Sequence, residues 1–302
     1  MGPLLIVLAA VTWGTTGATM KLIDAGGSPV SPFLVGLFRV AIAAPVLSVA
    51  SRWLGGPMHV GDRGERVRLL VAGLAMGAFQ VFYFAGVAKT SVAVGSLVAI
   101  CSAPIFITVL AAALLGERID GRTWAALCAG ISGAALLTVG PHGLGRLPPG
   151  FVGGVLLALG GGVSYATYAV MVKDVVRRVA PLTVAALTFS IAALSLLPVL
   201  FVEAPPVDAR AWTLLAYLGV VPTAVAYVLY VLGLRTTSVV VSGVLTLVEP
   251  LTATLLGILF FGDQLGPIGT LGATLLLGAV LGITLRRRRA SPPPPTGSGT
   301  PP

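Results

Sequence analysis

Residues 238–265 read SVVVSGVLTLVEPLTATLLGILFFGDQL. The run is long enough to cross a bilayer, for which about 20 apolar residues suffice. Yet it carries a carboxylate, Glu249, at its middle, with Pro250 directly after it. A charge at that depth is unfavourable by about 2.5–3.5 kcal/mol on insertion scales, so it is expected to face a cavity or a partner. Pro250 has no N–H and crowds the preceding turn, which leaves a backbone carbonyl without its helical donor. A helix break beside a mid-membrane acid is a way of building a polar site inside a bilayer.

The stretch has an echo upstream, SVAVGSLVAICSAPIFITVLAAALLGERI at 91–119. Pro104, Gly116 and Glu117 precede Pro250, Gly262 and Asp263 by 146 residues, and Tyr83, Gly86, Thr90 and Ser91 precede Tyr230, Gly233, Thr237 and Ser238 by 147. Trp13 and Lys21 precede Tyr165 and Lys173 by 152. Ordered marks at a slowly drifting offset are the trace of an internal duplication. The halves fall at 1–140 and 151–285, joined by a loop at 141–150 and followed by a basic, Pro-rich tail at 286–302.

Composition agrees with a membrane bundle. Hydrophobic residues make up 56% of the chain and charged ones 10%, against about 25% charged in a soluble domain. The net charge of +9 is scattered over short breaks between apolar runs, which makes a poor phosphate-binding face and argues against nucleic acid as a partner. Cys101 and Cys128 lie inside apolar runs and are expected to be buried free thiols. His59 and His142 sit in loops at no metal-ligand spacing, and no cofactor motif is present. The opening apolar run has no basic n-region and is matched by 153–173, so it reads as a retained first segment.

Ten apolar segments follow: 3–23, 32–50, 68–87, 92–115, 122–140, 151–172, 182–202, 211–233, 239–262 and 266–285. The expected fold is an all-α polytopic membrane protein, ten transmembrane helices arranged as two five-helix repeats. Because five is odd, the second repeat enters the membrane inverted. Placing the N-terminus in the cytoplasm puts Arg52, Arg63, Arg66, Arg68, Arg118, Arg122, Lys173, Arg177, Arg178, Arg235 and Arg286–Arg289 inside, against Lys21, Lys89, Arg146 and Arg210 outside. That bias predicts a plasma-membrane protein with both termini cytoplasmic. The KTS and TTS breaks at 89–91 and 236–238 supply helix caps. Gly73/Gly77, Gly150/Gly154 and Gly278/Gly282 are small-xxx-small pairs that permit close packing.

Against this frame few residues can carry chemistry. Glu249 can exchange a proton or hold a cationic group; the bland alternative is a protonated structural acid or a counter-ion. Its first-half counterpart is Ala103, so its role is asymmetric. Arg39 lies about 10 Å into the second segment at 1.5 Å per residue. It is expected to face a central cavity, paired with Glu249 or gripping a carboxylate, unless it snorkels. Trp13, Tyr83, Tyr165, Tyr168, Tyr227 and Tyr230 offer apolar faces with polar handles, or else form lipid-interface belts. Gln80 is a further polar candidate one turn before Tyr83. Pro104 and Pro250 are expected to break or bend their helices. Glu117 and Asp263 read as solvated or salt-bridged helix stops, and Lys21 and Lys173 as inverted counterparts with no further role.

Taken together these marks resemble the EamA-type members of the drug/metabolite transporter superfamily. The resemblance rests on Trp13-Gly14, Arg39, and the Pro-to-acid patterns APIFITVLAAALLGERI (103–119) and EPLTATLLGILFFGDQL (249–265). It covers 3–285, with Asp263 where the pattern usually has Glu. It implies a bundle around a central pathway that carries small organic solutes, often outward, without a cofactor. The function expected is a secondary transporter exporting small metabolites or drug-like solutes by alternating access, with the bilayer and protons as further partners. Facilitated diffusion or uptake is the alternative on the same fold. A membrane enzyme or scaffold is the rival class, but no HExxH, GxSxG or GxxxxGK[ST] occurs.

Overall fold

The computed structural model describes residues 1–26, 30–54, 60–90, 92–139, 149–204, 208–262, 264 and 266–289. His59, Ser91, His142, Arg146, Asp263, most of the 141–150 loop, residues 290–302 and the side chains of Arg286–Arg289 lie outside the described residues. All ten expected segments are helical. The first half comprises α1 (Gly2–Asp24), α2 (Pro32–Leu54), α3 (Arg63–Lys89), α4 (Val92–Leu115) and α5 (Gly121–Val139). The second comprises α6 (Phe151–Val175), α7 (Pro181–Leu196), α8 (Ala209–Gly219), α9 (Ala226–Thr236), α10 (Val239–Thr246), α11 (Val248–Phe261) and α12 (Gly266–Arg289). Among the described residues, nine helices or helix pairs are long and apolar enough to span a membrane, and the 19-residue α5 completes ten.

Two spans of the second half are each built from two helices. Val239–Phe261 breaks at Leu247 between α10 and α11, three residues before Pro250, whose ring leaves the Thr246 carbonyl without its usual donor. The span Ala209–Thr236 passes through a π-helical turn, Val220–Val225, between α8 and α9. Pro104 behaves differently: α4 runs through it unbroken. One missing amide is tolerated inside a membrane helix, and Thr108 Oγ1 donates to the Pro104 carbonyl at 2.7 Å. The expected break at Pro104 is therefore absent.

The repeated glycines end helices. Gly116 (φ +64°) and Gly262 (φ +70°) adopt the left-handed conformation after α4 and α11, the position where a helix closes on its own carbonyls. Ser238 caps α10, accepting from the Val241 amide at 3.3 Å. Asp62 caps α3 by accepting from the Glu65 amide at 2.7 Å, which starts that helix five residues before the apolar run.

The inversion is visible in three contacts. A Cβ on Gly2, at the start of α1, would strike the Gly233–Thr237 end of α9. Lys173, in the last turn of α6, donates to Leu234 O and Thr237 O at that same end. The start of α1 and the end of α6 thus share one side of the bundle, so these matched helices run in opposite directions. At the other side Gly154, at the start of α6, packs on Lys89 and Thr90 at the end of α3.

Close packing uses some of the expected glycine pairs and not others. Gly73 and Gly77 bring α3 against Ile191 and Ser195 of α7. A Cβ on Gly278 or Gly282 would meet nothing within 4 Å; α12 instead approaches α5 through Gly272 and Gly133, each facing backbone atoms of the other helix. Cys101 is buried as expected, but Cys128 is exposed on the outer face of α5. Exposed side chains on other helices are apolar too, with Val152 and Leu156 of α6 and Phe260 of α11 63–74% exposed, as lipid requires.

Candidate functional site

A cavity of about 950 Å³ lies between the halves. One stripe of α1 forms a wall: Trp13, Thr16, Gly17, Met20, Lys21 and Asp24 all line it, at the three- and four-residue spacing of one helix face. α11 supplies the facing wall through Glu249, Pro250, Ala253 and Gly257. Gly14 lets the two approach, since a Cβ there would stand 2.5 Å from Thr252 Cβ and 2.8 Å from the Glu249 carbonyl. The Trp13-Gly14 pair thus combines a cavity-facing ring with a backbone contact beside the acid. The cavity reaches from Trp13 and Glu249 to a mouth at the end of α1, the start of α2 and Glu203.

The six aromatic candidates come together. The Trp13 ring meets Tyr165 edge-on at 6.3 Å, Tyr227 at 4.9 Å and Tyr230 at 5.4 Å. Tyr168 stands behind, 5.7 Å from Tyr227. Phe79 bridges Tyr83 and Tyr165 at 5.6 Å from each. These are pairings of π-faces and edges in the interior of the bundle, not an interface belt. Trp13, Tyr83, Tyr165 and Tyr227 line the cavity; Tyr168 and Tyr230 are fully buried and support the wall from behind. The duplication persists in the hydrogen bonds: Tyr83 and Ser96 hydroxyls lie 2.7 Å apart, and their counterparts Tyr230 and Ser242 lie 3.4 Å apart.

Arg39 and Glu249 both line the cavity, but among the described residues they make no ion pair with each other. Arg39 is 8% exposed, and its Nε donates to Thr223 Oγ1 at 3.3 Å. Thr223 sits in the π-turn, where its hydroxyl donates to Leu218 O at 2.7 Å. Pro222 is the cause, because it cannot supply the amide that would otherwise reach Leu218 O. One proline thereby creates the turn, its hydroxyl relay and the anchor for the guanidinium; π-turns of this kind recur at functional sites. Glu249 occupies the first turn of α11, where the helix N-terminus favours negative charge.

The remaining candidates sit outside the cavity lining. Gln80 is buried against Gly36 of α2, its Nε2 3.8 Å from Met76 Sδ. Pro104 packs on Gly243 of α10. Four residues that the sequence reading passed over belong to the site: Thr16, Phe79, Ser96 and Thr223. Thr16 Oγ1 and Trp13 Nε1 are buried without a partner among the described residues, and both belong to residues on the cavity face of α1. The signal for Thr223 was available in Pro222 within an apolar run. Among the described residues no three His, Cys, Asp or Glu side chains converge as a metal would need.

Two contacts at the α9–α10 junction were not expected from the sequence. Glu117, expected to be a solvated or salt-bridged stop, accepts from the Val239 and Val240 amides at 3.2 and 3.5 Å. Lys173 donates to Leu234 O and Thr237 O at 2.6 and 2.7 Å.

The sequence pattern of the EamA-like transporter family matches the chain twice, over residues 1–139 and 152–285. The chain is 33% identical over 288 residues to YwfM of Bacillus subtilis (strain 168), an uncharacterized transporter, with 93% of each chain covered. It is 29% identical over 293 residues to the "Probable terminal-alkyne amino-acid exporter" of Streptantibioticus cattleyicolor, covering 93% of this chain and 92% of that one. A solved crystal structure superimposes with a TM-score of 0.81 at 25% identity, covering 96% of this chain and 99% of its own. With both halves matched and a relative of that identity aligned over nearly the full length, the chain belongs to the EamA-like transporter family and is a multi-pass membrane transporter.

Proposed function

We propose that the protein exports small amphipathic zwitterions of amino-acid type, by alternating access through the cavity between its halves. One observation carries this reading: Arg39 and Glu249 line the same cavity, and among the described residues no ion pair joins them. A guanidinium held by Thr223 suits a carboxylate, and a carboxylate at the start of α11 suits an ammonium group. Between them lies an aromatic wall with the unpartnered Trp13 Nε1 and Thr16 Oγ1, which suits an apolar side chain and one further polar group. The name of the Streptantibioticus relative, an amino-acid exporter, supports the same class.

The Lys and Arg bias supports cytoplasmic termini in a plasma membrane, which makes the open mouth the outer one. In this reading Glu249 also carries the coupling proton, released when substrate is taken up from the cytoplasm. The test is an untargeted comparison of solutes outside cells that make the wild type or Glu249→Gln at matched protein levels. A zwitterion that accumulates only with the wild type supports the reading; equal accumulation with both removes Glu249 from it.

A further inference from the structure

Lys173 ties the end of α6 to the end of α9 in a way that its inverted counterpart can copy. The last carbonyls of a helix have no intrahelical donor, and an ammonium group there is favoured by both hydrogen bonding and the helix dipole. Lys173, in the last turn of α6, uses this at the end of α9, bonding Leu234 O and Thr237 O. Glu117 holds the following residues from the other half, through the amides of Val239 and Val240. The α9–α10 junction is thus gripped on its carbonyls by a lysine and on its amides by a carboxylate.

The same parts exist at the other end. Lys21 corresponds to Lys173, and Val87 and Thr90 correspond to Leu234 and Thr237. The backbone at the two helix ends matches as well, with Thr90 N reaching Gly86 O at 3.1 Å and Thr237 N reaching Gly233 O at 3.1 Å. The flanking packing is also repeated: Gly86 against Ala158 mirrors Gly233 against Ile6, and Gly154 against Thr90 mirrors Gly2 against Thr237. What differs is the lysine. Lys21 lines the cavity, as does Val87, and its Nζ stands 4.6 Å from the Phe261 ring centroid, a favourable place for an ammonium group.

We infer that Lys21 and Lys173 are alternating latches. Lys173 closes the bundle on the α9 end in the form seen here. When the cavity opens on that side, Lys21 leaves Phe261 and closes the present mouth by donating to Val87 O and Thr90 O. This rests on the alternating-access reading above, but it can be tested without any substrate. Gly17 lines the cavity, and a side chain there meets no atom within 4 Å. Gly17→Cys, in a background with Cys101→Ala and Cys128→Ser, is therefore a reporter. Its labelling by a small membrane-impermeant methanethiosulfonate is measured from each face, in right-side-out and inside-out vesicles.

The ratio of the two rates, mouth side over closed side, should fall by about five-fold or more in Lys173→Met and rise by about as much in Lys21→Met. Lys→Arg at either position should keep the wild-type ratio. Ratios within about two-fold of the wild type, or shifted in the same direction by both Met variants, overturn the inference. If Lys173→Met does not give monodisperse protein, the exposed Lys21→Met decides alone. Opposite shifts in a protein that moves no solute leave the latches standing and the transport reading refuted; transport with unmoved ratios does the reverse.

Discussion

Trp13 and Tyr165 meet edge to face, ring centroids 6.3 Å apart and planes at 89°, although they occupy equivalent places in the two repeats 152 residues apart. Inverted repeats bring matched positions together about their pseudo-two-fold axis, so this pair of rings marks that axis beside the cavity. Both rings line it, and the indole N–H has no partner among the described residues. Trp13→Phe keeps a ring and removes that donor. It should raise KM for transport by roughly ten-fold, the scale of one lost hydrogen bond to a charged group, with Tm close to that of the wild type.

The relay from Arg39 through Thr223 to Leu218 predicts a stability effect. Thr223→Val keeps the shape but leaves a buried carbonyl and a buried guanidinium short of partners. It should cost about 1–3 kcal/mol, read as a lowered Tm in detergent, and should weaken substrate binding. Thr223→Ser should restore both.

The approach of α1 to α11 predicts a contrast between neighbouring glycines. Gly14→Val drives a side chain into Thr252 and the Glu249 carbonyl and should cost roughly 1–3 kcal/mol by overpacking. Gly17→Ala enters open space and should be neutral or stabilising by up to about 1 kcal/mol. Thermal unfolding of the two variants side by side checks the geometry.

Glu117 predicts a local signature. Without its carboxylate the first amides of α10 lose their acceptor, so Glu117→Ala should speed hydrogen exchange at Val239 and Val240 by roughly ten-fold or more, while amides in the middle of α3 exchange as before. Unchanged exchange at those two amides contradicts the capping role.

The fold was legible because lipid leaves a plain record: long apolar runs, short charged breaks and paired glycines at helix ends. The break at Leu247 was announced by Glu249-Pro250, and the aromatic cluster by marks repeated between halves. Other features depend on tertiary contacts that no local pattern carries. Arg39 finds its partner 184 residues away, at a turn made by Pro222. Glu117 looks like a surface stop until α10 is placed against it. Pro104 and Pro250 are the same residue at matched places, yet α4 runs through Pro104 unbroken while the second-half span breaks before Pro250. Gly278 and Gly282 carry the spacing of a packing pair but face outward, while Gly133 and Gly272 make the contact. Cys128 is apolar in context and exposed in fact, since in a membrane protein an apolar run does not distinguish lipid from core.

The most direct test of the central claim is counterflow in proteoliposomes, with a panel of labelled L-amino acids and their decarboxylated and deaminated analogues. At least one zwitterion with an apolar side chain should exchange about ten-fold above empty liposomes, its amine-only and acid-only analogues should not, and Arg39→Ala and Glu249→Gln should each abolish the exchange in folded protein. Exchange of the single-charge analogues at the same rate, or wild-type exchange in both variants, would contradict the claim.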